Sequence, residues 1–91
     1  MSGKNDIIAL KDLKEGLPAR VVSLEGGQNF RGRMHSMGIM PGSIIKVIES
    51  GKTGGPYLVA VSETRLMIGH VMAEKIMVTR EIKNPPENPA N

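Results

Sequence analysis

Few side chains in this sequence are of types that carry chemistry, and their spacing decides what they can do. Histidine is the usual proton shuttle and metal ligand near neutral pH, and the chain holds two, His35 and His70. Neither has a second histidine at ligand spacing, and cysteine is absent. Disulfides, thiol catalysis, iron–sulfur ligation and the usual zinc sites are therefore not expected. The carboxylates Asp6, Asp12, Glu15, Glu25, Glu49, Glu63 and Glu74 form no pair spaced for general acid–base work. No serine sits in a nucleophile-elbow context. Gly51-Lys52-Thr53-Gly54-Gly55 has the composition of a phosphate loop but lacks its spacing, and Pro56 and an extended run follow where a helix should open. A hairpin connection is expected there. These residues predict a protein that is not an enzyme and has no cofactor or resident metal.

Cations remain. Arg20, Arg31, Arg33, Arg65 and Arg80 are scattered along the chain, and as a patch they would meet an acidic protein surface or nucleic acid. Single-strand binders stack bases on aromatic rings, and Pro-rich peptides dock in aromatic-lined grooves. One Phe, one Tyr and no Trp argue against both. A protein–protein module using aliphatic and methionine surface is what these residues leave.

The elements that must position these groups follow from composition and period. With 91 residues, 40% hydrophobic and 23% charged, one globular domain is expected. Its core must be aliphatic, with seven Met filling gaps. The net charge is +3 without any block of like charge. No apolar run reaches the length of a membrane helix or a signal peptide, which predicts a cytoplasmic protein. Residues 1–6 read as a flexible arm, 7–80 as the folded domain and 81–91 as a Pro-rich disordered tail. Five strands are expected: Ala19–Leu24, Ser43–Glu49, Tyr57–Val61, Arg65–Ile68 and Ile76–Thr79. Their connections are too short for parallel crossovers, so the sheet should be antiparallel. Glu63-Thr64 is expected to make a tight hairpin turn.

Between Gln28 and Met37 the period changes. Phe30, Met34 and Met37 fall on one helical face, with Asn29 as N-cap and Gly38 as the C-terminal stop. Arg31, Arg33 and His35 then lie on the opposite, polar side. Pro41-Gly42 makes a sharp turn into the next strand. Leu10–Lys14 and His70–Lys75 are expected as short helical turns, pinned to the core by Leu10 and Leu13 and by Val71 and Ala73. His70 is expected to be an exposed turn residue.

The segment Arg33-Met34-His35-Ser36-Met37-Gly38-Ile39-Met40-Pro41-Gly42 resembles the signature of the FeoA domain, the small cytoplasmic component of bacterial ferrous iron transport. Leu10-x-x-Leu13-x-x-Gly16 and Glu25-Gly26-Gly27 are similar upstream. Gly55-Pro56, Leu66-Met67-Ile68 and Ala73-x-x-Ile76-x-Val78 follow downstream in the family's order. Met34 and Met37 stand where the family commonly has Leu, a swap that keeps volume. Gly38, Pro41 and Gly42 are its structural motif.

The resemblance implies a mainly β fold: a small five-stranded antiparallel SH3-like barrel with one short α-helix packed on it. It implies a non-enzymatic accessory or regulatory role, docking on the cytoplasmic G-protein part of the FeoB-type ferrous iron transporter, which would recruit the protein to the inner face of the membrane. On that reading Arg31, Arg33 and His35 on the helix, with Lys52 and Thr53 in the glycine loop, are the partner-binding candidates. Reversing Arg31 and Arg33 to Glu should weaken docking and leave the thermal midpoint nearly unchanged. Weak self-association through exposed strand edges is a further expectation. The alternative is a small-barrel nucleic-acid- or ribosome-associated protein. An iron carrier is the third reading, disfavoured because no His–carboxylate cluster is visible.

Overall fold

The computed structural model describes residues 6–81. Nearly all of the expected arm and tail therefore lie outside the described residues. The strands are β1 (Ile7–Ala9), β2 (Pro18–Leu24), β3 (Ile44–Glu49), β4 (Tyr57–Val61), β5 (Thr64–Ile68) and β6 (Ile76–Thr79). Helix α1 (Gln28–Ser36) joins β2 to β3, and α2 (His70–Lys75) joins β5 to β6. Leu10–Asp12 and Lys52–Gly54 are 3₁₀ turns.

All strands lie in one antiparallel sheet of order β1-β6-β2-β3-β4-β5. Alternation builds it. In β4 Tyr57, Val59 and Val61 are buried while Leu58 and Ala60 are half-buried, the period-two signature of a sheet with one covered face. Both edges feed one core: Ile8 of β1 packs against the cluster that contains Ile68 of β5. The sheet therefore curls around its own side chains. Register shifts at Val21/Ser23 and Val47/Glu49 supply the local bends that such coiling needs. The core is aliphatic as composition demanded, with Leu10, Met34, Ile39, Ile45, Ile68 and Ile76 its largest fully buried side chains.

Several expectations need correction. The sheet has six strands and not five, because β1 is too short, at three residues, to display alternation in the sequence. The β4–β5 turn is Ser62-Glu63, with Ser62 at φ 55°, and Thr64 already belongs to the strand. Helix α1 is capped by Gly27 and not Asn29. Phe30 folds back onto Gly26, where a Cβ would stand 2.5 Å from its ring, and this draws the helix start toward the glycine turn. Val71 does not pin α2, being 60% exposed while Ala73 is fully buried. Two positions apart on a helix is about 200° of rotation, so the two cannot share a face. His70 is half-buried and not exposed: its ring lies 5.9 Å from that of Tyr57, and its Nε2 is 3.3 Å from Glu74 Oε2.

Candidate functional site

Helix α1 ends in a hydrogen-bonded cap. The Gly38 N–H donates to His35 O at 2.9 Å, and the Ile39 N–H reaches back to Met34 O at 2.8 Å. That pair of bonds defines a Schellman motif, which requires a left-handed residue at the first position beyond the helix. Gly38, at φ 85°, fills it without the steric cost a side chain would bring. The motif's hydrophobic contact unites Met34 and Ile39, both fully buried.

The chain then turns through Met40-Pro41-Gly42-Ser43, closed by a Ser43 N–H···O=C Met40 bond of 2.9 Å. Proline second and a glycine at φ 99° third are what a type II turn requires. The turn is stitched to β2 by Gly42 N–H to Val21 O and Val21 N–H to Ser43 O, both 2.8 Å. Ser43 Oγ donates to Gly38 O at 2.9 Å and accepts from the Met40 N–H at 3.2 Å. Gly38, Pro41 and Gly42 are thus brought into one rigid corner. Ser43, which braces it, was not singled out from the sequence; a serine just after a Pro-Gly turn was its available signal.

That corner fixes the polar side of α1. Arg31, Arg33 and His35 are all exposed, but Arg33 is two positions from each of the others, about 200° round the helix, so only Arg31 and His35, four apart, share a face. Arg33 and His35 lie in the final turn, where positive charge complements the helix dipole. Arg31 has a structural task as well. Its Nη1 donates to Gly26 O at 2.7 Å, closing the turn before the helix. Charge reversal there would break a bond to a carbonyl, worth about 1 kcal/mol, so Arg31→Glu is expected to lower stability by about that amount. Arg33 donates no side-chain hydrogen bond and enters no ion pair among the described residues.

Lys52 and Thr53 lie elsewhere. Helix α1 leads into the start of β3, whereas the 52–54 turn follows its end, about 17 Å away along the strand. Both residues are exposed, and Thr53 holds a left-handed conformation (φ 51°, ψ 42°) that is unusual for a β-branched side chain. The loop is moored at its base. Glu15 Oε2 accepts from the Ser50 N–H at 2.8 Å and from Ser50 Oγ at 2.7 Å. Those bonds, the backbone one foremost, hold the Glu15 carboxyl below its ordinary pKa; the nearby Lys52 charge adds slightly.

Among the described residues no group of three or more histidines or carboxylates could hold a metal ion. His70 and Glu74 form the one histidine–carboxylate pair among the described residues, signalled in the sequence by i,i+4 spacing on a short helix. No helix among the described residues is long and apolar enough to cross a membrane.

A small curled antiparallel sheet with a capped helix between two of its strands defines a fold of the SH3-like class. The chain belongs to the FeoA domain family, whose model matches residues 8–80, a family associated with ferrous iron transport. A solved structure described as the iron uptake regulatory protein FeoA is 35% identical, with a TM-score of 0.76 over 81% of this chain and 97% of that one. An FeoA protein from Chlorobium tepidum is 26% identical, with a TM-score of 0.75 over 88% of this chain and 76% of that one. An FeoA of Stenotrophomonas maltophilia, complexed with zinc and described as a prokaryotic SH3 domain protein, shares the fold at 23% identity. Its TM-score is 0.68 over 78% of this chain and 88% of that one. No curated protein sequence matches the chain.

Proposed function

We propose that this protein is a non-enzymatic accessory of ferrous iron transport that docks, from the cytoplasm, on the G-protein part of an FeoB-type transporter. Residues 7–80 would be the working domain. The observation that carries the reading is family membership joined to a surface built for recognition: exposed cations on α1, backed by a fully bonded corner and a buried Met34–Ile39 anchor. Rigid presentation lowers the entropy lost on docking. On this reading Arg33 is a contact on one flank of α1, while His35 and Arg31 contribute on the other, Arg31 also holding the Gly26 turn. Lys52 and Thr53, at the far end of β3, would touch only a partner broad enough to span the strand.

Calorimetric titration into the purified cytoplasmic domain of such a transporter tests this, run with GDP, with a GTP analogue and without nucleotide. Saturable binding is expected in at least one state. It should weaken about fivefold or more in Arg33→Glu with the thermal midpoint unchanged, since removing a rim cation acts on steering and charge and leaves the fold intact. Absence of heat in all three states would contradict the reading. A steep loss of affinity with salt for an oligonucleotide, near −0.9 per phosphate neutralised, would replace it with nucleic-acid binding.

A further inference from the structure

Strand β5 has a hydrogen-bonded neighbour on one side only, β4, and closes the sheet order at that edge among the described residues. The opposite edge, β1, is three residues long, whereas β5 has five and carries no proline, no acid and no bulge. Those are the usual devices that discourage an edge from pairing. An edge that lacks most of them presents a row of backbone donors and acceptors that a further strand can take up.

The register shows what that strand would meet on the outer face. Arg65 stands opposite Ala60, Ala60 opposite Lys46, and Lys46 opposite Pro18, so one row across four strands holds two cations with a small residue between them. A depression of about 300 Å³ lies there, lined by Lys46, Ala60 and Arg65 among others. The neighbouring row pairs Met67 with Leu58, and Met67 is 59% exposed. The rows are about 7 Å apart, two residues along a strand. Neither Lys46 nor Arg65 enters an ion pair among the described residues.

We propose that β5 is a docking edge for an extended segment of a partner protein that carries an acidic and an apolar side chain two residues apart. The acid would lie opposite Arg65 and the apolar residue opposite Met67, with main-chain bonds supplying affinity and the two rows supplying selectivity. Charge favours such a partner over a second copy of this chain. Two β5 strands paired about a two-fold axis at Leu66 would place Arg65 and Lys46 of both copies on one continuous face, while the acid of the Met67–Leu58 row, Glu49, would stand three strand spacings, about 14 Å, from the other copy's Arg65. The inference stands apart from the transporter reading, since it concerns a different face and is tested without the transporter.

The test uses the full chain and two short synthetic peptides, one centred on Val-Leu-Val-Glu-Val and the other on Val-Leu-Val-Lys-Val, the order that sets the charge opposite Arg65 and Leu opposite Met67 in an antiparallel pair. Amide shifts at Thr64–Ile68 should accompany binding of the first. The second should bind about fivefold more weakly, the swing expected from exchanging an attractive cross-strand charge pair for a repulsive one. Arg65→Glu, an exposed substitution that leaves the core untouched, should invert the preference. Equal binding of both peptides, no binding at millimolar concentration, or shifts outside β5 would overturn the proposal. So would a dimer in sedimentation that Met67→Lys dissolves, which would give the edge to a second copy. An oligothymidylate that displaces the acidic peptide and shifts Lys46 and Arg65 would assign the face to nucleic acid instead.

Discussion

At the start of β3 the chain arrives through Gly38–Ser43, and at its end it leaves through Gly51–Gly55. Both connections are rich in glycine, yet their physics differs. The first is tied to the helix, to β2 and to the core: a Schellman cap, a type II turn, a bracing serine and a fully buried Ile39. The second is exposed and bonded mostly to itself. Gly51 packs so closely on Gly55 that a Cβ would fall 1.8 Å from its carbonyl oxygen, and at its base two bonds reach far in sequence, both from Ser50 to Glu15. Glycine at the first connection serves a conformation that the core then locks. At the second it serves a loop closing on itself, with Thr53 left in a strained conformation. A rigid corner next to an exposed cationic helix suits a preformed recognition surface; a self-contained loop at the other end does not need to be one.

Substitutions can break that contrast or sharpen it. Ile39→Ala removes the anchor of the first connection and should cost about 3 kcal/mol, lowering the thermal midpoint on the order of 15 °C. Thermal denaturation followed by circular dichroism measures it, and a loss below about 1 kcal/mol would mean the corner is not coupled to the core. Gly38→Ala keeps the packing but forces a side chain into left-handed backbone, so about 1–2 kcal/mol is expected from urea unfolding. Thr53→Gly should go the other way, gaining about 0.5 kcal/mol by relieving the same conformation where nothing else depends on it.

The smallest effect is electrostatic. Because the folded carboxyl of Glu15 titrates below its ordinary value of 4.5, its contribution is complete above that value and is lost as the pH falls through the lower folded one. Protection of the Ser50 amide, its exchange measured against the unstructured rate at the same pH, should therefore fall on acidification in the parent protein, whereas in Glu15→Gln it should change little with pH. Identical pH profiles in the two would show that the mooring does not hold the loop.

Much of the corner was legible in the sequence, because glycine and proline punctuate helices and turns for local steric reasons. The stripe Phe30, Met34 and Met37 and the stop at Gly38 could be read from spacing alone. Ile39 as the cap's buried partner could not, since its burial depends on how the helix end seats over the sheet. Strand β1 was invisible because three residues cannot show a period. The helix start was misplaced because a tertiary contact, Phe30 against Gly26, outweighed the local capping preference of Asn29. Val71 was misassigned by treating positions two apart as neighbours. For the binding candidates, helical period sets Arg31 and His35 on one face and Arg33 on another; the element order, with β3 between them, separates Lys52 and Thr53 from α1.

The most direct measurement is amide chemical-shift mapping of the full-length protein during titration with the cytoplasmic G-protein domain of an FeoB-type transporter. The account predicts shifts concentrated in Gln28–Met37, weaker or absent ones at Gly51–Gly55, and their loss in Arg33→Glu. Saturable shifts confined to the Gly51–Gly55 loop, or none at all, would contradict it.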